Sequence, residues 1–318
     1  MPSTSPSETP TSSASAPADP SSPSPDPTPT RTVTEHEHHA PGHERAAEVL
    51  GEVRREMRLA RVLASPPRVT HTLLALLIVF HTLVHLWAWR LSSGAPDPVP
   101  FGAALAFGWK SGPAIEAGQW WRLVTPAFLH GNLLHLLVNG YALHVLGPLV
   151  ERLQGSHRYL VLLLLTAIAG TTASLAFTPA PAVGASGAIF GLLGAAMALG
   201  LRSRDALPPR MRRALVLGLL PWVLLNFAIG FVVPRVDNAA HLGGFLAGGA
   251  LALVMGHRMR PAPHGHRAWR AAAIVAALVT ALAVGHMLME VRRCGGSVPA
   301  FEACYRADFE AAREPEPP

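Results

Sequence analysis

Charge is scarce in this chain. Of its 318 residues only 14% are Asp, Glu, Lys or Arg, while 50% are hydrophobic. Soluble domains carry about a quarter charged residues, so this balance argues against one and for membrane-spanning segments. Cysteine is scarcer still: only Cys294 and Cys304, with no histidine near them, which speaks against a metal site there. Residues 1–34 lack any apolar run and consist almost wholly of Ser, Pro, Thr, Ala and Asp. They hold no core that a signal peptide would need. They also cannot bury enough apolar surface to offset their ordering entropy, so disorder is expected. The formal net charge of +6 does not indicate nucleic acid, because the arginines flank apolar stretches instead of forming one basic face with aromatics between.

His36, His38, His39 and His43 follow, in an acidic stretch with Glu35 and Glu37. They are read as part of a flexible tail over residues 1–43, not as a metal site. Residues 44–70 form a basic amphipathic segment, a solvated helix or one lying on the membrane face. Seven apolar segments come next, at about 71–91, 126–148, 158–177, 186–201, 214–233, 239–256 and 269–289. Several approach the roughly 20 residues needed to span a bilayer. The fourth is too short to cross alone. The proline-broken run before it, residues 178–185, is expected to enter the membrane as extended chain, which is tolerated only under cover of protein or a water-filled cavity.

Arginines set the orientation. Arg45, Arg54, Arg55, Arg58, Arg61 and Arg68 precede the first segment. Arg152 and Arg158, then Arg202, Arg204, Arg210, Arg212 and Arg213, then Arg258, Arg260, Arg267 and Arg270 fill alternate loops. The other loops are poor in basic residues, the first holding Arg90, Lys110 and Arg122. The N-terminus is therefore expected in the cytoplasm and the tail over 291–318 outside.

With that topology the second, fourth and sixth segments all start near the outer surface. Each carries polar groups there: His130, His135 and Asn139; Ser186; Asn238 and His241. Polar groups inside membrane segments call for a functional explanation. Gly187 and Gly191 clear one face of the fourth segment, and Gly244 and Gly248 one face of the sixth. Small residues at this spacing let membrane helices approach closely. If those faces pack, the Ser186 hydroxyl and the His241 imidazole can meet, the histidine taking the proton that makes serine a nucleophile. His135 and Asn139, i and i+4 on one face, can donate to a developing oxyanion. The Ser186 N–H, at the positive end of its helix, can donate as well.

These motifs, His130-x4-His135-x3-Asn139, Gly184-x-Ser186-Gly187-x3-Gly191 and Ala240-His241-x2-Gly244-x3-Gly248, resemble the rhomboid family of intramembrane serine proteases over residues 71–257. Trp121-Arg122 resembles that family's structural Trp-Arg pair. The resemblance implies an all-α, polytopic helix bundle with a six-helix core; the loop and seventh transmembrane helix over 258–290 lie outside it and inherit nothing from it. It implies a Ser186–His241 dyad without a carboxylate, an oxyanion hole from His135, Asn139 and the Ser186 backbone, and no metal or cofactor. The implied partners are the lipid bilayer and the transmembrane segments of membrane-protein substrates, cleaved near the outer surface, with a bacterial inner membrane as the setting. Phe190 stands where the family often has tyrosine; an aromatic ring there can still pack on His241.

Plainer alternatives stand beside these readings. Ser186 can bond a backbone carbonyl of its own helix, and His241 can be a packed interfacial histidine. His130 fits loop stabilisation as well as chemistry. Asn238 is expected to cap the sixth helix rather than orient His241. His81 and His85, i and i+4, are read as packing or an interhelical contact rather than a metal pair. At the level of the whole chain, the rivals are an inactive relative that binds membrane clients and a transporter using intramembrane histidines. Cys294 and Cys304 are expected to form a disulfide in the outer tail, stabilising that tail alone; two free thiols are the alternative.

Overall fold

The computed structural model describes residues 41–91, 101–204, 206–258, 265–294, 300, 303, 304 and 306. The tail over 1–40 with its histidines, and the side chain of His43, lie outside the described residues. The chain divides into two units, residues 1–46 and 47–318. In the first, residues 41–46 open helix α1 (Pro41–Leu63). In the second, Leu59 and Val62 of α1 pack against the core, while Val49, Leu50, Val53 and Met57 are exposed.

The rest of the second unit is a bundle. After α2 (Arg68–Leu91) come two short helices, α3 (Phe101–Ala106) and α4 (Gly112–Glu116). The long helices α5 (Leu133–Gln154) and α6 (Ser156–Phe177) precede the shorter α7 (Ser186–Arg202). A helical turn α8 (Pro209–Arg213) passes through a π turn at Ala214–Gly218 into α9 (Leu220–Val232). Then follow α10 (Asn238–Met255) and α11 (Gly265–Cys294). Six helical runs among the described residues are long and apolar enough to cross a membrane, and α7 is a shorter apolar helix. The protein is an integral membrane protein of all-α architecture.

Helix α7 sits at the centre. Its residues are apolar on every side, and a helix of that kind is buried inside protein; Gly187–Leu192, Gly194–Ala196 and Ala198–Gly200 are all buried. It lies against α10 and α6 through glycines. A β-carbon on Gly244 would run into the Gly187 carbonyl, and one on Gly248 into the Gly191 carbonyl. The two smooth faces expected from the sequence therefore meet backbone to backbone.

The second apolar segment departs from expectation. Its helix begins at Leu133, not near 126. The preceding residues form two 3-10 turns, Trp120–Leu123 and Thr125–Phe128, and Asn132 caps α5, its side-chain oxygen accepting the His135 N–H at 2.7 Å. His130 thus lies in the turn before the helix. Arg122, almost wholly buried, staples this region: its guanidinium donates to the Leu105 and Trp109 carbonyls at 2.9 Å each and to Gln119 Oε1 at 2.6 Å.

Helix α11 packs beside α6 and over this region, with His286 stacked on Trp121 (5.3 Å, 8°) and edge-on to Trp120. Cys294 and Cys304 form a disulfide, with Cα atoms 5.7 Å apart. The bridge does more than secure the tail, because Cys294 is buried in a cluster with Ala103, Phe107 and Trp121.

Candidate active site

Ser186 is the first residue of α7 and is half-buried. The extended strap before it is held at two points: the Lys110 N–H donates to Ala182 O (3.0 Å), and the Gly184 N–H to Pro126 O (2.9 Å). Gly184 has φ +123°, a conformation side chains resist. A β-carbon there would stand 2.7 Å from His135 Nε2 and 3.3 Å from Asn139 Nδ2. His135 and Asn139, one turn apart on α5, therefore converge on the backbone two residues before Ser186. Asn139 Nδ2 is buried and has no protein acceptor. Leaving a buried donor uncommitted costs about 1–3 kcal/mol. The first N–H groups of α7 likewise lack intrahelical acceptors. Uncommitted donors thus lie on α5, beside Gly184, and at the start of α7 two residues later.

His241 is buried on the first turn of α10. Its imidazole lies flat on the Phe190 ring, centroids 4.1 Å apart and planes 10° from parallel. Phe190 is one turn after Ser186 on the same helical face, so the stack lies just below the serine. The backbones meet as well. A β-carbon on Gly170 of α6 would stand 2.9 Å from Ala240 O and 3.2 Å from Gly187 Cα. The residue before His241 and the residue after Ser186 therefore share one contact point. His241 Nδ1 has no protein partner. Phe227 of α9 closes the side, edge-on to Phe190 at 5.1 Å.

The cap of α10 is Asp237, not Asn238: its carboxylate accepts the Ala240 N–H at 3.0 Å. Asn238 is already helical, and its amide donates to the Phe227 carbonyl (3.2 Å), tying α9 to α10. His130 is buried, 5.1 Å edge-on from His135, with neither ring nitrogen hydrogen-bonded. Burial, with His135 and His81 nearby, pushes it down to about 3, so it is neutral at ordinary pH. His81 and His85 lie 4.2 Å apart on α2, and a cavity lined by His81, His130 and Val183 opens beside them. Among the described residues no three His, Cys, Asp or Glu are grouped to hold a metal ion.

Sequence reasoning missed Asp237 and Lys110. The signals existed: a carboxylate directly before the first helical residue, and a single lysine in a chain otherwise supplied with arginine.

Residues 117–258 match the family model of the Rhomboid domain. This segment is a rhomboid domain. It contains Trp121, Arg122, His130, His135, Asn139, Gly184, Ser186, Gly187, Phe190, Asn238 and His241. The chain is 38% identical over 183 residues to the Rhomboid protease GluP of Bacillus subtilis (strain 168), 58% of this chain and 34% of that protein. It is 37% identical over 144 residues to RHOMBOID-like protein 5 of Arabidopsis thaliana, 44% of this chain and 46% of that one. It is also 39% identical over 141 residues to Rhomboid-like protease 3 of Toxoplasma gondii, 44% of this chain and 53% of that protein. The chain thus spans about a third to a half of the length of these curated relatives.

Proposed function

We propose that this rhomboid-domain protein is an intramembrane serine endopeptidase that hydrolyses peptide bonds in or near transmembrane segments of other membrane proteins. The observation that carries the proposal is the Phe190–His241 stack one turn below Ser186. It holds an imidazole on the helical face that carries the serine. In this reading His241 takes the Ser186 proton as the hydroxyl attacks the scissile carbonyl, then passes it to the leaving amine. An acyl-enzyme remains. Water, deprotonated by His241, attacks the ester; the bond to Ser186 breaks, His241 gives the proton to the serine oxygen, and the product leaves as its carboxylate. The charge on the tetrahedral oxygen is met by Asn139 Nδ2, by His135 and by the Ser186 N–H, groups fixed before the reaction begins.

Gly184 and Gly187 serve by having no side chain, one beside His135 and Asn139, the other against α6 and α10. Trp121 and Arg122 build the loop above the site, and Asn238 holds α9 to α10. The arginine pattern supports a cytoplasmic N-terminus and an extracytoplasmic C-terminus, and the likeness to a Bacillus subtilis protease supports a bacterial cell membrane as the setting.

The test is labelling by a fluorophosphonate probe of the full chain in liposomes. The proposal expects a phosphonylated peptide carrying Ser186, absent in Ser186→Ala and strongly reduced in His241→Ala. Labelling that ignores both substitutions, or none in the wild type, would favour a client-binding protein or a transporter.

A further inference from the structure

The chain's one lysine, Lys110, is 1% exposed. Its ammonium donates to the Ser174 carbonyl (3.3 Å), the Ser174 hydroxyl (2.9 Å) and the Thr178 carbonyl (2.6 Å). A compact ammonium with rotatable donors suits acceptors gathered round a point, whereas the flat guanidinium fork of arginine does not. The Ser174 hydroxyl passes the link on by donating to the Asp237 carboxylate. That carboxylate also accepts from the Thr178 hydroxyl at 3.4 Å and from the Ala240 N–H at 3.0 Å. Burial pushes the Lys110 ammonium below its usual range, and the nearby Asp237 carboxylate opposes that push.

Every member of this relay holds the start or end of an element that meets at the site. The Lys110 N–H bonds Ala182, four residues before Ser186. Ser174 and Thr178 close α6. Asp237 caps α10, and its carbonyl accepts the His241 N–H at 3.1 Å. One buried cation and one carboxylate, joined through a hydroxyl, thus fasten the strap before Ser186 and the turn before His241 to a single point.

We propose that Lys110 and Asp237 are a positioning pair: linked through Ser174, they set the first turn of α10 against the strap that delivers Ser186, and so fix the reach of the imidazole to the hydroxyl. This rests on the Ser186–His241 reading above. Neither residue is assigned contact with substrate. The pair acts through the backbones that carry the reacting groups.

The experiment measures kcat, KM and unfolding temperature for cleavage of a model transmembrane substrate in liposomes. The full-chain variants are Asp237→Asn, Lys110→Met, Ser174→Ala and the double variant Asp237→Asn with Lys110→Met; Ser186→Ala is the control. Asp237→Asn keeps a capping acceptor. Ser174→Ala keeps both charges, so it decides the matter even if Lys110→Met fails to fold. The expected result is a fall in kcat of about 10- to 100-fold in Asp237→Asn and Ser174→Ala, the scale of a sub-ångström to ångström misplacement, with KM within about twofold. In the double variant the losses should not multiply, because the two groups act as one unit. A Ser186-dependent activity with unchanged kcat in Asp237→Asn and Ser174→Ala overturns the pair alone. Losses confined to KM, or losses that merely track the folded fraction, overturn it too. Activity that survives Ser186→Ala sinks the dyad, and the pair with it.

Discussion

Gly244→Ala adds one methyl group where α10 meets α7. Its β-carbon would stand 2.8 Å from the carbonyl carbon of Gly187 and 3.2 Å from its Cα. Carbon atoms settle at about 3.5–4.0 Å, so the helices must part by roughly 1 Å. The obstacle is backbone and cannot swing aside as a side chain would. His241 lies less than one turn before Gly244, and Ser186 is bonded to Gly187, so the gap opens between the reacting groups. A displacement of about 1 Å costs on the order of 10²-fold in rate, while overpacking of this kind costs about 1–3 kcal/mol of stability. Gly244→Ala should therefore insert and fold, with a lower unfolding temperature, yet lose about 10²-fold in kcat on a transmembrane substrate in liposomes. Gly285→Ala is the control, since nothing lies within 4 Å of its β-carbon; it should keep wild-type kcat. A Gly244→Ala enzyme with kcat within twofold of wild type would refute the claim that backbone contact sets the dyad geometry.

Asn139→Ala and His135→Ala should each lower kcat by about 10²–10³ with little change in KM, as expected for donors that act in the transition state; a loss seen only in KM would make them binding groups. His130, held near 3 in the folded protein, binds its proton more readily when unfolded. Its contribution to stability is therefore complete above about pH 6.5 and declines as pH falls toward 3, by about 1.4 kcal/mol per unit. Between pH 7.5 and pH 5 the loss of stability in thermal unfolding should be smaller by about 2 kcal/mol in His130→Phe than in the wild type; an equal loss in that variant would refute it. Cys294→Ser should lower stability by about 2–3 kcal/mol and keep most of kcat, since the bridge adjoins Trp121 and Phe107 rather than α7 or α10. A tenfold loss of kcat would show that the bridge reaches the site.

What could be read from the sequence was whatever is written locally. The membrane class, the seven apolar helices and the short α7 follow from composition and run length. The meeting of α7 and α10 follows from the four-residue spacing of Gly187 and Gly191 and of Gly244 and Gly248. Apolar content alone puts the start of α5 too early, because it does not distinguish helix from the 3-10 turns around Pro126; the Asn132 cap marks the boundary. From sequence Asn238 and Asp237 are adjacent and both are good capping residues; the backbone settles that Asp237 lies outside the helix. Lys110 stands out in the sequence as the one lysine, but its partners, Ser174 and Thr178, cannot be read there because they are more than 60 residues away. The burial of Cys294 against Trp121 is likewise a long-range fact.

The most direct test of the dyad is cleavage of a reconstituted transmembrane substrate by wild type, Ser186→Ala and His241→Ala, with the new termini identified by mass spectrometry. The account predicts one cut in or near the membrane segment by the wild type, and no product from either variant although both insert and unfold as wild type does. Product at the wild-type rate from either variant would contradict it.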